Sequence, residues 1–168
     1  PFVHKVMLVA HECGLADQLD LRPTAPDTII ADVSADNPLG QIPTLVTDDG
    51  TVIYDSGVIM EYLDHSSGGG LLPEPGPARW RVLRNQALGQ GMITAINLRY
   101  NETRRPADEQ SPAWITKKDV ELGRACDALE AMLTAGEDGP GLSDEADFGS
   151  LTIACALAYA SRRWSEGN

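Results

Sequence analysis

Two short stretches hold residues whose types and spacing could do chemistry. The first is Asn37-Pro38-Leu39-Gly40-Gln41-Ile42-Pro43-Thr44-Leu45, with two prolines and a glycine just ahead of a strand-like run. A proline after Ile42 predicts a tight turn of the kind that accommodates a cis bond. Because proline has no N–H and its ring bends the chain, Ile42 is placed to offer its backbone N–H and C=O to an extended, peptide-like ligand as a strand partner. The second stretch is Asp55-Ser56, directly before apolar residues at helical spacing. A serine at a helix N-terminus presents a hydroxyl and free N–H groups to a carboxylate, and the neighbouring aspartate can meet an ammonium group. Taken alone, Asp55-Ser56 is an ordinary helix cap, and the proline loop is an ordinary strand entry. Together they favour a binding site.

The elements that must position these residues follow from periodicity. Val3, Val6, Met7 and Ala10 predict an opening helix, with Pro1 at an allowed first-turn position and Gly14 as its stop. Leu19 to Leu21 alternates as a short strand would. Thr44–Thr47 and Thr51–Tyr54 flank Asp48-Asp49-Gly50, which predicts an antiparallel hairpin. A helix then starts at Asp55 or Ser56 and carries Val58, Ile59, Tyr62 and Leu63. Ser66-Ser67-Gly68-Gly69-Gly70 and Pro73-Glu74-Pro75-Gly76-Pro77 break the pattern and read as a domain linker.

Beyond the linker the chain reads as all helix. Trp80, Leu83, Ala87, Gly91, Ala95 and Leu98 predict the packed face of a first long helix. A second starts at Ser111-Pro112 with a stripe of Ile115, Leu122, Cys126, Leu129 and Leu133. Asp147 and Ser150 look like an N-cap ahead of a third, with Leu151, Ala154, Leu157 and Ala158 as its stripe.

Charge and cysteines narrow the function. The 168 residues carry 13 Lys plus Arg against 25 Asp plus Glu, a formal charge of −12, with no basic run for phosphates to meet. That argues against nucleic acid and against an anionic membrane surface as partners. The longest apolar stretch, Leu151 to Ala160, is ten residues, well below the roughly 18 to 20 that span a bilayer. Cys13, Cys126 and Cys155 are odd in number and far apart, which fits neither a disulfide framework nor zinc spacing and suits a reducing, cytoplasmic setting. Cys126 and Cys155 read as buried hydrophobes, as does Cys13, which follows a helix and faces its negative end. His4 and His11 share a helix face but lack a third ligand, so no metal site is expected. Arg104-Arg105-Pro106 reads most simply as a solvated helix end, with an arginine near the cleft as the alternative, able to steady an anionic substrate. The chain opens at Pro1 without Met and closes at Ser165-Glu166-Gly167-Asn168, and both ends read as incomplete.

The order Asn-Pro-Leu-Gly-Gln-Ile-Pro-Thr-Leu, hairpin, Tyr-Asp-Ser and short helix resembles the glutathione-binding half of cytosolic glutathione transferases. Leu71-Leu72-Pro73 and the helix starting near Arg79 resemble that family's linker and helical domain. The resemblance implies an α/β plus all-α architecture. A thioredoxin-like glutathione-binding domain, with its first strand missing, spans residues 1–66; residues 67–77 form the linker; a truncated all-helical bundle domain spans 78–168. It implies a cis Pro43, backbone pairing of Ile42 with the cysteinyl part of glutathione, and Asp55 and Ser56 holding the γ-glutamyl end, with Gln41 a weaker polar contact. Asp55 stands where Glu or Gln is more usual, one methylene shorter. The catalytic Ser or Cys is expected just upstream of Pro1. Met92, Ala95, Ile96, Arg99 and Tyr100 are placed by helix phase to line the electrophile cleft.

The function implied is a glutathione transferase in which glutathione is a co-substrate, no metal takes part, and the thiolate attacks a hydrophobic electrophile, as in detoxification. A cytoplasmic homodimer is implied with it. Two alternatives stand beside this reading: a glutathione-dependent thiol-disulfide oxidoreductase, and a non-catalytic interaction module on the same fold.

Overall fold

A computed structural model describes residues 1–25, 27–134, 142 and 145–164. The chain divides into two units, Phe2–Pro73 and Glu74–Asn168, Pro1 grouping with the second.

The first unit contains α1 (Phe2–Glu12), a 3-10 turn at Ala16–Gln18, α2 (Ile29–Val33), β1 (Leu45–Val46), β2 (Val52–Ile53) and α3 (Ser56–Ser66). Helix α1 buries Val6, Val9 and Ala10, spaced by three or four residues, and packs on α3, which buries Ile59, Met60 and Leu63. Gly14 takes φ +68° just past α1, the left-handed conformation that ends helices. The hairpin is antiparallel, with Leu45 opposite Ile53 and Val46 opposite Val52. Its turn is held by Asp49, whose Oδ1 accepts the Thr47 hydroxyl and the Thr51 N–H at 3.0 Å; these bonds, the Thr47 one foremost, hold its carboxyl below the usual carboxylate range. The expected strand at Leu19–Leu21 is not formed. That segment leaves the 3-10 turn extended, but no other strand among the described residues pairs with it.

The segment after α3 is fastened by a residue that periodicity does not single out. Asp64 is 5 % exposed, and its two carboxylate oxygens accept the N–H groups of Leu71 at 2.9 Å and Leu72 at 3.2 Å. Between them, Gly68, Gly69 and Gly70 all have positive φ, which lets the chain double back from α3 to its own last turn.

The second unit is helical: α4 (Pro77–Thr103), a 3-10 turn at Ala107–Glu109, α5 (Pro112–Thr134) and α6 (Phe148–Trp164). Helix α5 runs antiparallel to α4, with Arg99 paired to Asp119 and a hollow of about 250 Å³ lined by Leu88, Gly91, Met92, Ala95, Leu122 and Ala125. Helix α6 runs parallel to α4, because contacts climb together along both: Gly149 meets Asn85, Gly89 meets Ile153, and Tyr159 and Arg163 bond Asn97 and Tyr100. The α4–α6 approach is backbone to backbone. A Cβ on Gly89 would lie 2.8 Å from the Ile153 nitrogen, and one on Gly149 only 2.6 Å from the Asn85 Cβ.

The expected helix faces are partly displaced in the structure. On α4, Val82, Asn85, Gly89, Met92, Ile93, Ala95, Ile96 and Arg99 are buried; of the expected face Ala95 is buried and Leu83 half-buried, while Trp80, Ala87, Gly91 and Leu98 are exposed. On α5, Leu122 and Leu129 are buried, but Cys126 and Leu133 are exposed and Ile115 is half-buried. On α6, Phe148, Thr152, Ile153, Cys155 and Ala156 are buried, whereas Ala154, Leu157 and Ala158 are exposed. On α4 and α6 the close approach at Gly89 and Gly149 sets which residues face the seam, and apolar periodicity along one helix does not carry that information. The cysteines divide accordingly: Cys155 is buried, Cys13 half-buried and Cys126 exposed.

The N-cap expected at Asp147 is present and reciprocal. Its Oδ1 accepts the Ser150 N–H at 2.7 Å, and its own N–H donates to the Ser150 hydroxyl at 2.9 Å. With Asp147 itself 7 % exposed, water replaces the lost bond poorly. Asp147→Ala is expected to cost about 1–2 kcal/mol. A thermal midpoint lower by roughly 2–4 °C in circular dichroism would register it, and an unchanged midpoint would show that the cap contributes nothing.

Candidate functional site

The loop from Asn37 to Thr44 is shaped by one buried side chain. Asn37, 2 % exposed, donates through Nδ2 to the Gln41 carbonyl at 3.0 Å and to the Thr44 hydroxyl at 3.1 Å, while its Oδ1 accepts the Leu39 N–H at 3.0 Å. Gly40 turns the chain at φ +57° and lies against Ile30 of α2. With Gln41 and Thr44 held from below, Ile42 and Pro43 project from the loop, and the Ile42–Pro43 bond is cis, as the resemblance implies. Ile42 is 39 % exposed, and among the described residues neither its N–H nor its C=O is hydrogen-bonded. It therefore presents a one-residue strand edge.

Hairpin register brings the second stretch to the same place. The ladder ends at the Leu45–Ile53 pair, so the loop that leads into Leu45 and the start of α3 that follows Ile53 both leave from that end of the hairpin. The Tyr54–Asp55 bond is also cis. Asp55 is the N-cap of α3: its Oδ1 accepts the Gly57 N–H at 3.0 Å, and its second oxygen has no partner among the described residues. Ser56 follows as the first helical residue and is 2 % exposed. Capping and binding are thus compatible in Asp55, one oxygen serving the helix and the other remaining open to a cation. Gln41 is exposed, and its carbonyl, rather than its side chain, is what the loop uses.

The remaining candidates do not share one surface. Met92 and Ala95 line the α4–α5 hollow. Ile96 is buried on the seam side of α4, and Arg99, 9 % exposed, donates to Asp119 of α5. Tyr100 is half-buried, with the Arg163 guanidinium over its ring. Among the described residues no group of three His, Cys, Asp or Glu could hold a metal ion, and no helix is long and apolar enough to cross a membrane. Asn37 lies in the motif without a role that periodicity assigns; its signal is an Asn four residues before a carbonyl that a tight turn leaves unpaired.

Comparison with known proteins agrees with this frame. Residues 1–66 match the family model described as glutathione S-transferase, N-terminal domain. The uncharacterized GST-like protein YibF of Escherichia coli K12 is 31 % identical over 165 residues, spanning 97 % of this chain and 79 % of its own length. A glutathione transferase family member from Pseudomonas fluorescens Pf-5, solved with bound glutathione, is 36 % identical, with a TM-score of 0.89 over 99 % of this chain and 80 % of its own. A glutathione transferase family member from Pseudomonas fluorescens Pf-5 solved with bound S-(propanoic acid)-glutathione aligns over the same shares at 36 % identity and a TM-score of 0.82. With a thioredoxin-like first unit, a helical second unit and a relative of this identity along nearly its whole length, the chain belongs to the glutathione S-transferase family.

Proposed function

We propose that this chain binds glutathione at the cis-Pro43 edge and the start of α3, and that it is a glutathione transferase delivering the thiolate to an electrophilic small molecule. The observation that supports the reading is that the unpaired Ile42 backbone, next to cis-Pro43, and the Asp55–Ser56 start of α3 flank the same end of the hairpin. Glutathione is an extended tripeptide with an ammonium and a carboxylate at its γ-glutamyl end. The Ile42 N–H and C=O pair with its cysteinyl backbone, the open Asp55 oxygen meets the ammonium, and Ser56 with the α3 amides takes the carboxylate. Gln41, exposed beside Ile42, adds a further polar contact. The bound glutathione and bound conjugate in the Pseudomonas fluorescens Pf-5 structures support the same ligand here.

Thiol-disulfide exchange through a mixed disulfide on a protein sulfur stands beside transfer as the alternative enzymatic reading. The cytoplasmic homodimer implied by the resemblance belongs to this reading. Calorimetric titration of glutathione into the chain and into Ser56→Ala tests it. Saturable binding is expected, weakened about tenfold by the substitution, the equivalent of losing one hydrogen bond to a charged group. No binding by the unmodified chain would move the function to an interaction module.

A further inference from the structure

The two ends of the proposed ligand meet different surroundings. Glutathione has two carboxylates and one ammonium. In the binding mode proposed above, Asp55 answers the ammonium and Ser56 the γ-glutamyl carboxylate, which leaves the glycyl carboxylate to be received elsewhere. Connectivity indicates on which side. The loop runs from Gln41 through Ile42 and Pro43 toward the hairpin end from which α3 leaves, so a ligand paired with Ile42 and held at α3 by one end extends its other end toward Gln41 and α2. Helix α2 is fastened to that side of the loop. Gly40 lies against Ile30, the Asn37 N–H donates to the Val33 carbonyl at 2.8 Å, and the Asn37 side chain donates to the Gln41 carbonyl at 3.0 Å.

No lysine or arginine of the first unit serves that end. From Pro23 to Ala78 the sequence has neither residue. Of those that precede it, Lys5 is 1 % exposed and Arg22 is paired with Asp20 at 3.3 Å. The Asn37 amide is spent on Gln41 and Thr44, so the exposed Gln41 side chain offers neutral contacts only. What α2 and its flanks do present is negative. Asp27, Asp32 and Asp36 are exposed, Asp32 accepts the Thr28 hydroxyl, and none of the three is ion-paired among the described residues. A second carboxylate is repelled by this flank, and an ammonium is drawn to it.

We infer that the site selects glutathione whose glycyl carboxyl is joined in an amide to an amine-bearing chain, with the ammonium facing Asp32 and Asp36. The inference rests on the glutathione reading and names the form of that ligand. Relative to glutathione, such a ligand loses one negative charge and gains a positive one, and it keeps the groups that meet Ile42, Asp55 and Ser56.

Calorimetric titration at low salt compares glutathione, its glycyl propyl amide and its glycyl aminopropyl amide on the chain, Asp32→Asn and Asp36→Asn. Circular dichroism checks that the two variants, both at exposed positions, keep the fold. Relative to glutathione, affinity is expected to rise about threefold for the propyl amide and about tenfold for the aminopropyl amide. The second gain should shrink to about twofold in 1 M salt, where charges are screened beyond about 3 Å. Each variant is expected to lose about threefold for the aminopropyl amide and nothing for the propyl amide. Glutathione binding as tightly as the aminopropyl amide would overturn the inference and leave the transferase reading standing. So would equal binding of the two amides, or an aminopropyl amide indifferent to both variants. If neither glutathione nor either amide binds, the transferase reading itself falls and the inference falls with it.

Discussion

Gly89→Val is expected to cost unit Glu74–Asn168 at least about 3 kcal/mol, and Gly89→Ala about 1–3 kcal/mol. On an isolated helix the sign for alanine is the reverse, a gain of about 1 kcal/mol over glycine. Here the new Cβ would meet the Ile153 nitrogen at 2.8 Å and the Thr152 carbonyl carbon at 2.9 Å, both backbone atoms of α6. No rotamer change relieves such a contact; α4 and α6 must move apart and loosen Ile93, Ile153 and Ala156, each 2 % exposed or less. Gly91, two residues along α4, has nothing within 4 Å of its would-be Cβ and is the internal control. Gly91→Ala should be neutral or stabilising by up to about 1 kcal/mol. Urea unfolding of the three variants reads the difference, and equal effects at positions 89 and 91 would refute the backbone seam.

The second large effect is Asp64→Asn, expected to lose about 2–3 kcal/mol. The carboxylate receives two backbone N–H groups, from Leu71 and Leu72, on separate oxygens. An amide keeps one acceptor and turns its NH₂ toward the other N–H, so one bond becomes a donor–donor clash in a site that is 5 % exposed. Denaturant unfolding measures the loss, and proteolysis around Gly68–Leu72 should quicken with it. A loss under about 0.5 kcal/mol would mean that the glycines alone set the turn.

Local signals in the sequence were read well because their partners are a few residues away. Asp48-Asp49-Gly50 predicts the hairpin, Asp55 the start of α3, Ser111-Pro112 the start of α5, and Asp147 with Ser150 the start of α6; each is satisfied by contacts within about four residues. The Ile42–Pro43 turn was legible through its resemblance to a family motif. The packed faces of α4, α5 and α6 were not, because they depend on which residues of a distant helix come close. Gly89 and Asn85 meet residues some sixty positions later, and nothing in their own periodicity marks them as the seam. The roles of Asn37 and Asp64 are not legible for a related reason: a buried polar side chain is identified by the backbone groups it satisfies, and those exist only once the chain has turned. Cys126 follows the same logic in reverse, apolar by type and heptad position yet exposed, because α4 meets α5 through Leu122 and Ala125 instead.

The glycine seam between α4 and α6 also bears on how water reaches the interior. Where helices interlock through side chains, a rotamer flip opens a transient path to a buried amide. At Gly89 and Ile153 the main chains themselves are in contact, so there is no flap to swing. The peptide hydrogens along that line can meet deuterium only when the helices part, and parting them dismantles the unit. Their exchange is expected to proceed by opening of the whole unit, which places them with its slowest-exchanging amides.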